Sequence, residues 1–384
     1  MTADEIRALV QELVRVPSVN PSIAAEGQGE AAIARFACDW LNARGVRAWT
    51  EEAAPGRPNA VAEVGNAALP ALVLCAHLDT VGVEGMEAPY SGESKEGRVY
   101  GRGAYDMKGS GAAIMAAAVD LARGGYNGRV LLALVADEEY ASIGAMDFVQ
   151  RHPASACIVT EPSEGKLILG HKGFVWAEIV TRGRAAHGSR WDLGVSAIGN
   201  MARLATALEE FDRDELRRRV HPLMGPASMH CALIQGGTGL STYASECRMK
   251  VERRTLPGET AATVEQELKQ VAAAAGVDAA IECFFERSPL TCDRHERVAA
   301  CVREAAAAET GSVPEEAGVS YWMDAAIFAA AGIPTVNYGP AGAGAHETVE
   351  WVDVTSVATC SRVLAEAARR FATASNGSAD MMSA

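Results

Sequence analysis

The stretch Val73-Leu-Cys-Ala-His-Leu-Asp-Thr80, followed by Tyr100-Gly-Arg-Gly-Ala-Tyr-Asp-Met-Lys-Gly109, decides how the chain reads. Apolar residues from Ala71 onward lead into His77 and Asp79, and a short apolar run with turn signals beyond it predicts a buried strand. Alternation along a strand puts residues i and i+2 on one face, so His77 and Asp79 point the same way. That pairing suits a metal-bound imidazole held from behind by a carboxylate. Asp106 sits on a glycine-rich turn that opens a small-residue, helix-like stretch from Met107 to Ala122. A carboxylate at that junction could bridge two cations.

A lone histidine at a strand end is more often a hydrogen-bonded structural residue than a ligand. Its company shifts the balance. Asp137-Glu138-Glu139, Thr160-Glu161-Pro162-Ser163 and Gly344-Ala-His346-Glu347 each follow an apolar run or sit in a glycine-rich loop. Open α/β sheets place their sites beyond the carboxyl ends of the strands.

Working outward, Thr2-Ala-Asp-Glu5 has the form of a capping box before a helix through Val14. Strands are expected near 47–51, 59–64, 130–136 and 156–160, alternating with helices, which predicts an α/β domain with a mostly parallel sheet. The texture changes after Ser163: the strands and helices over 166–289 follow a βαββαβ-like order, without a second set of metal-type residues. An Ala-rich helical pattern then resumes. The expected organisation is a catalytic domain built from 1–165 and 290–384, interrupted by an inserted lid or dimerisation domain, 166–289. The small, polar residues 375–384 are expected to fray.

With 384 residues, 49% hydrophobic and 22% charged, the chain can bury a real core. A formal net charge of -14 argues against nucleic acid and anionic membrane surfaces as partners. The N-terminal residues lack a leader pattern, and no apolar stretch approaches a membrane span. Nine scattered cysteines without C-x-x-C fit reduced thiols, hence a cytoplasmic location. Neither a complete G-x-G-x-x-G nor a G-x-S-x-G nucleophile elbow is present.

Five residues could therefore form a two-metal centre: His77 and Glu161 on one ion, Glu139 and His346 on the other, with Asp106 bridging. Nitrogen and carboxylate ligands without thiolates suit Zn²⁺, or Co²⁺ and Mn²⁺. Such a pair of ions shares and acidifies a water, and a general base must carry its proton to the leaving nitrogen. Glu138 is placed for that task, although Asp137-Glu138-Glu139 alone would read as a solvated acidic turn.

Taken in order, His77-Leu-Asp79, Gly101-Arg-Gly-Ala-Tyr-Asp-Met-Lys-Gly109, Asp137-Glu-Glu139, Glu161-Pro-Ser163, Ala186-His187, Arg254 with Pro257-Gly-Glu259, and Gly339-Pro340 with His346 resemble the M20 metallopeptidase family. That family includes acetylornithine deacetylase, succinyl-diaminopimelate desuccinylase, aminoacylases and glutamate carboxypeptidase. The resemblance implies a zinc-exopeptidase-like catalytic domain with the five ligands above, Asp79 orienting His77, Glu138 as general base and acid, and a cis peptide after Asp106. It implies that His187 polarises the scissile carbonyl, often from the partner subunit of a homodimer, and that Arg254 grips a substrate carboxylate. Gly339 to Ala345, with Gly342 at its middle, would be a flexible substrate-side loop. One departure stands out: Ser241 and Ala244 occupy positions where many relatives have Asn and Pro, and that Asn contacts substrate.

The function so implied is hydrolysis of an amide bond in an N-acyl amino acid or small peptide with a free carboxylate, most akin to the acetylornithine and succinyl-diaminopimelate deacylases. The alternatives are a dipeptidase or carboxypeptidase, or a non-catalytic relative that binds a ligand or partner through the same cleft.

Overall fold

The first helix, Ala3–Arg15, begins as its capping box requires: Thr2 Oγ1 accepts from Glu5 N, and Thr2 N donates to Glu5 Oε2 at 2.7 Å. Its stripe of Ile6, Leu9, Val10, Leu13 and Val14 is buried, the spacing of one helix face. This computed structural model describes residues 1–379, and 380–384, the end of the stretch expected to fray, lie outside the described residues. The last helix runs from Val354 to Ala379.

The chain divides into two compact units: Met1–Leu169 with Cys292–Ala317 and Met323–Ala384, and Gly170–Thr291 with Gly318–Trp322. The first unit is built on a mixed sheet of β1 (Arg47–Ala54), β2 (Arg57–Gly65), β3 (Ala71–His77), β4 (Arg129–Val135), β5 (Ala156–Val159), β6 (Leu167–His171) and β7 (Thr335–Asn337). Their order is β1-β2-β4-β3-β5-β7-β6. The pairs β4–β3, β3–β5 and β5–β7 are parallel, and the flanking pairs are antiparallel. All seven residues of β3 are buried, which explains its unbroken apolar run. The helix Gly109–Arg123 is buried along nearly its whole length, because its Ala-rich surface allows close packing in the core.

A small second sheet in this unit joins Ser94–Lys95, Arg98–Tyr100, Trp351–Asp353 and Gly342–Ala343. The stretch expected to be a flexible loop is thus held in place: Gly342 pairs with Val352 and Ala343 with Trp351. A Cβ at Gly342 would run into Trp351 and the Tyr105 ring, so glycine is required there by packing.

In the second unit, Gly173–Arg182, Ala197–Asp214, Ser228–Gly236, Glu246–Thr255, Ala261–Ala274 and Ala279–Arg287 follow one another in βαββαβ order. Val175, Ala177 and Ile179 alternate inward and pack with Met201, Leu204, Leu208, Val264 and Leu268 of the two helices. On the other face Phe174 and Trp176 stack with Phe285. Among the described residues, no helix is long and apolar enough to cross a membrane.

Candidate metal centre

Three parallel strands deliver the acidic and imidazole groups. β3 ends on His77, β4 is followed by Asp137-Glu138-Glu139, and β5 by Thr160 and Glu161. Asp137 has φ 70°, a left-handed residue that turns the chain back over the strand ends. Asp106 follows the left-handed Gly103, and its peptide bond to Met107 is cis, as the resemblance implies. His346 itself sits at φ 62°.

These elements bring both imidazoles onto one carboxylate. His77 Nε2 lies 3.1 Å from Asp106 Oδ1, and His346 Nε2 lies 3.3 Å from Asp106 Oδ2. Each ring has a second acidic neighbour: Glu161 Oε1 at 3.6 Å from His77 Nε2, and Glu139 Oε2 at 3.2 Å from His346 Nε2. Glu138 and Glu139 diverge although adjacent. Glu138 gathers with His77 and Glu161, their donor atoms all within 4.8 Å of one another, and Glu139 gathers with Asp106 and His77 on the same criterion.

So much negative charge in a buried place needs compensation. Burial pushes the Glu138 and Glu161 carboxyls well above the usual carboxylate range, and neighbouring carboxylates add to it. Burial likewise raises Glu139. Burial also disfavours a charged His77, yet Glu161, Asp106 and Glu138 outweigh it and hold the imidazole well above its ordinary value. Hydrogen bonds to Asp106 and Glu139 raise His346 to about 10. Asp106 is held low because the two imidazoles overcome its burial.

This donor set fits divalent cations. The Nδ1 of His77 donates to the Asp79 main-chain carbonyl at 2.9 Å, so Nε2, aimed at the carboxylates, is the nitrogen that would take a cation in place of its proton. Glu139 Oε1 is buried with no hydrogen-bond partner, a cost that a cation would remove. Two imidazole nitrogens and several carboxylates without thiolates are the hard-to-borderline ligands that Zn²⁺, Co²⁺ or Mn²⁺ accept.

Asp79 differs from expectation. Its carboxylate stands 3.8 Å from His77 Nδ1, and the main-chain carbonyl does the orienting. The strand ends at His77, so the strict i, i+2 alternation does not extend to Asp79. The freed carboxylate instead accepts from Glu138 N at 3.1 Å, Glu139 N at 3.2 Å and Asn20 Nδ2 at 2.7 Å. It therefore fixes the turn that carries both glutamates. Behind it, Arg57 ties Asp137 and Glu30 together, and Asn20 bonds Asp137 as well. None of Asn20, Glu30 or Arg57 stands out in the sequence.

His187, Ser241 and Arg254 belong to the second unit. The exposed His187 pairs its backbone with Thr242, and its Nδ1 lies 2.8 Å from Ser189 Oγ. Gly188 N donates to Ser241 O at 2.7 Å, so the histidine loop and the Ser241 segment form one local structure. Arg254 Nε donates to Glu252 Oε1 at 2.7 Å, and its guanidinium lies over the Phe174 ring. Gly342 lies in the first unit, in the small sheet.

Two imidazoles and an excess of carboxylates gathered beyond the ends of a mixed sheet's parallel strands form a site able to hold divalent cations. Residues 73–370 match peptidase family M20/M25/M40, and the chain belongs to that family. The acetylornithine deacetylase of Myxococcus xanthus is 32% identical over 286 residues, 72% of this chain and 73% of its own. Among solved structures, the aminopeptidase PepT from Bacillus cereus ATCC 10987 superposes with a TM-score of 0.80 at 19% identity, over 97% of this chain and 99% of that one. The YXEP protein of Bacillus subtilis, described as a dinuclear metal binding peptidase from the M20 family, gives 0.73 at 18% identity, over 97% and 98%.

Proposed function

We propose that the chain is a two-metal amidohydrolase that removes the acyl group from an N-acyl amino acid with a free carboxylate. The observation that carries this reading is Asp106, whose two oxygens each face one imidazole while Glu161 and Glu139 complete the two sides. In this reading His77 and Glu161 hold one ion, Glu139 and His346 the other, and Asp106 both. When bound, such ions, Zn²⁺ being the best fit to these donors, supply Lewis acidity to the scissile carbonyl and acidify a water.

The remaining work falls to the chain's own residues. Glu138, gathered beside His77 and Glu161, takes the proton of the attacking water at its carboxylate and returns it to the leaving nitrogen. Asp79 holds Glu138 and Glu139 in place through their backbone N–H groups. Arg254 receives the substrate carboxylate through its terminal nitrogens, since its Nε is engaged by Glu252. In this reading Ser241 and Gly342 each contact the substrate, and His187 donates to the developing oxyanion.

The Myxococcus xanthus likeness supports a deacylase of the acetylornithine type. The PepT likeness favours a second reading, a small-peptide exopeptidase, on fold alone. We place the second unit as a lid and pairing domain of a cytoplasmic homodimer, with His187 acting on the partner's site. Its edge strand Ser228–Gly236 supports pairing, since Leu233 and Ile234 are 65% and 60% exposed. A fully active monomer in sedimentation would refute that arrangement. The chemical assignment is tested by Glu138→Gln: kcat should fall about 10²–10⁴-fold while metal content stays at the parent level. Undiminished turnover would overturn it.

A further inference from the structure

Glu350 and Arg102 form an ion pair of 2.7 Å whose side chains are 0% and 3% exposed. Glu350 Oε2 accepts from Arg102 Nη1 and, at 2.9 Å, from Gly103 N. Its Oε1 accepts from Tyr105 N at 2.9 Å and Asp106 N at 3.0 Å. Arg102 spends its other donors on main-chain carbonyls, Gly82 O at 2.8 Å and Glu347 O at 3.0 Å. Glu347 adjoins His346. One buried pair therefore clamps the loop that carries Asp106 to the loop that carries His346, although the two lie more than two hundred residues apart in the chain.

Burial of such a pair is poor evidence for a stability role, because desolvation consumes most of the Coulombic gain. What it delivers is geometry. Four donors converge on one carboxylate and leave its two oxygens no alternative orientation. The backbone at Asp106 is thereby fixed, and with it the origin of the side chain whose oxygens face both imidazoles.

We infer that Glu350 and Arg102 are positioning residues of the metal centre, holding Asp106 and His346 at the spacing that two cations require. This rests on the two-metal reading above. Groups that orient metal ligands from behind change affinity by about 10–100-fold when removed.

The test is titration of the metal-free, full-length protein with Zn²⁺ against a chromogenic chelator, with the metal-free Tm recorded beside it. Glu350→Gln keeps the side chain's shape but offers a single acceptor oxygen to four donors. Its Zn²⁺ affinity should fall about 10–100-fold, alongside a lower metal-free Tm because a buried guanidinium and backbone donors lose acceptors, in a protein that still folds without metal. Excess Zn²⁺ should restore much of kcat with KM unchanged, which a merely structural defect would not show. Arg102→Lys keeps a charge beside Glu350 but loses the fork to Gly82 and Glu347, and should weaken Zn²⁺ binding in the same direction. Parent-like affinity in a folded Glu350→Gln would overturn the inference alone. Failure of both variants to fold without metal would also overturn it, the pair then serving the fold. A parent protein that takes up no Zn²⁺ would sink the two-metal reading together with it.

Discussion

In the first unit the residues that bear chemistry are mostly buried and cross-braced, His346 with its half-exposed ring being the exception, whereas those in the second unit lie nearer the surface with few partners. Asp79 alone, 1% exposed, serves two backbone N–H groups and Asn20, and Glu350 serves four donors. His187 by contrast is exposed, with Ser189 as its side-chain partner, and Arg254 rests on Glu252 and an aromatic ring. The difference separates two tasks. Ligand geometry must be fixed before substrate arrives, because carboxylates that repel one another will otherwise spread apart. Groups that meet the substrate can settle when it binds.

Substitutions should divide along that line. The largest effect is expected for Asp106→Ala, which removes the carboxylate shared by both imidazoles: activity should fall to background, and metal analysis should show fewer than two ions per chain. Two retained ions would break the comparison at its strongest point. Arg254→Met should act differently, raising KM for free-carboxylate substrates about 10–100-fold, the worth of a charged hydrogen bond, with metal content intact. The parent should discriminate against methyl esters and the variant should not; equal parental rates on acids and esters would remove Arg254 from the role. Ser241→Ala should be mildest, altering kcat/KM ratios across a series of N-acyl groups by about 2–10-fold, as for one neutral hydrogen bond. A collapse of activity in that variant would show that the second unit is as tightly constrained as the first.

The sequence makes one side of this contrast readable. The parallel strands announce themselves as short apolar runs, and the acids after them stand where open sheets keep their sites. The bracing groups do not. Glu350 and Arg102 are ordinary charges in a chain of many, and a partner 248 positions away leaves no local periodicity. Gly342–Ala343 and Ser94–Lys95 are strands of two residues, too short for alternation to register, so a paired segment reads as a loop. Asp79 was legible as a neighbour of His77, but its true partners depend on where β3 stops and on a left-handed turn at Asp137, which no pattern of hydrophobicity encodes.

The most direct test of the central claim is a crystal structure of the zinc-loaded protein with anomalous scattering recorded at the zinc edge. Two peaks are predicted, one between His77 and Glu161 and one between His346 and Glu139, with Asp106 touching both. A single peak, or zinc bound away from Asp106, would contradict it.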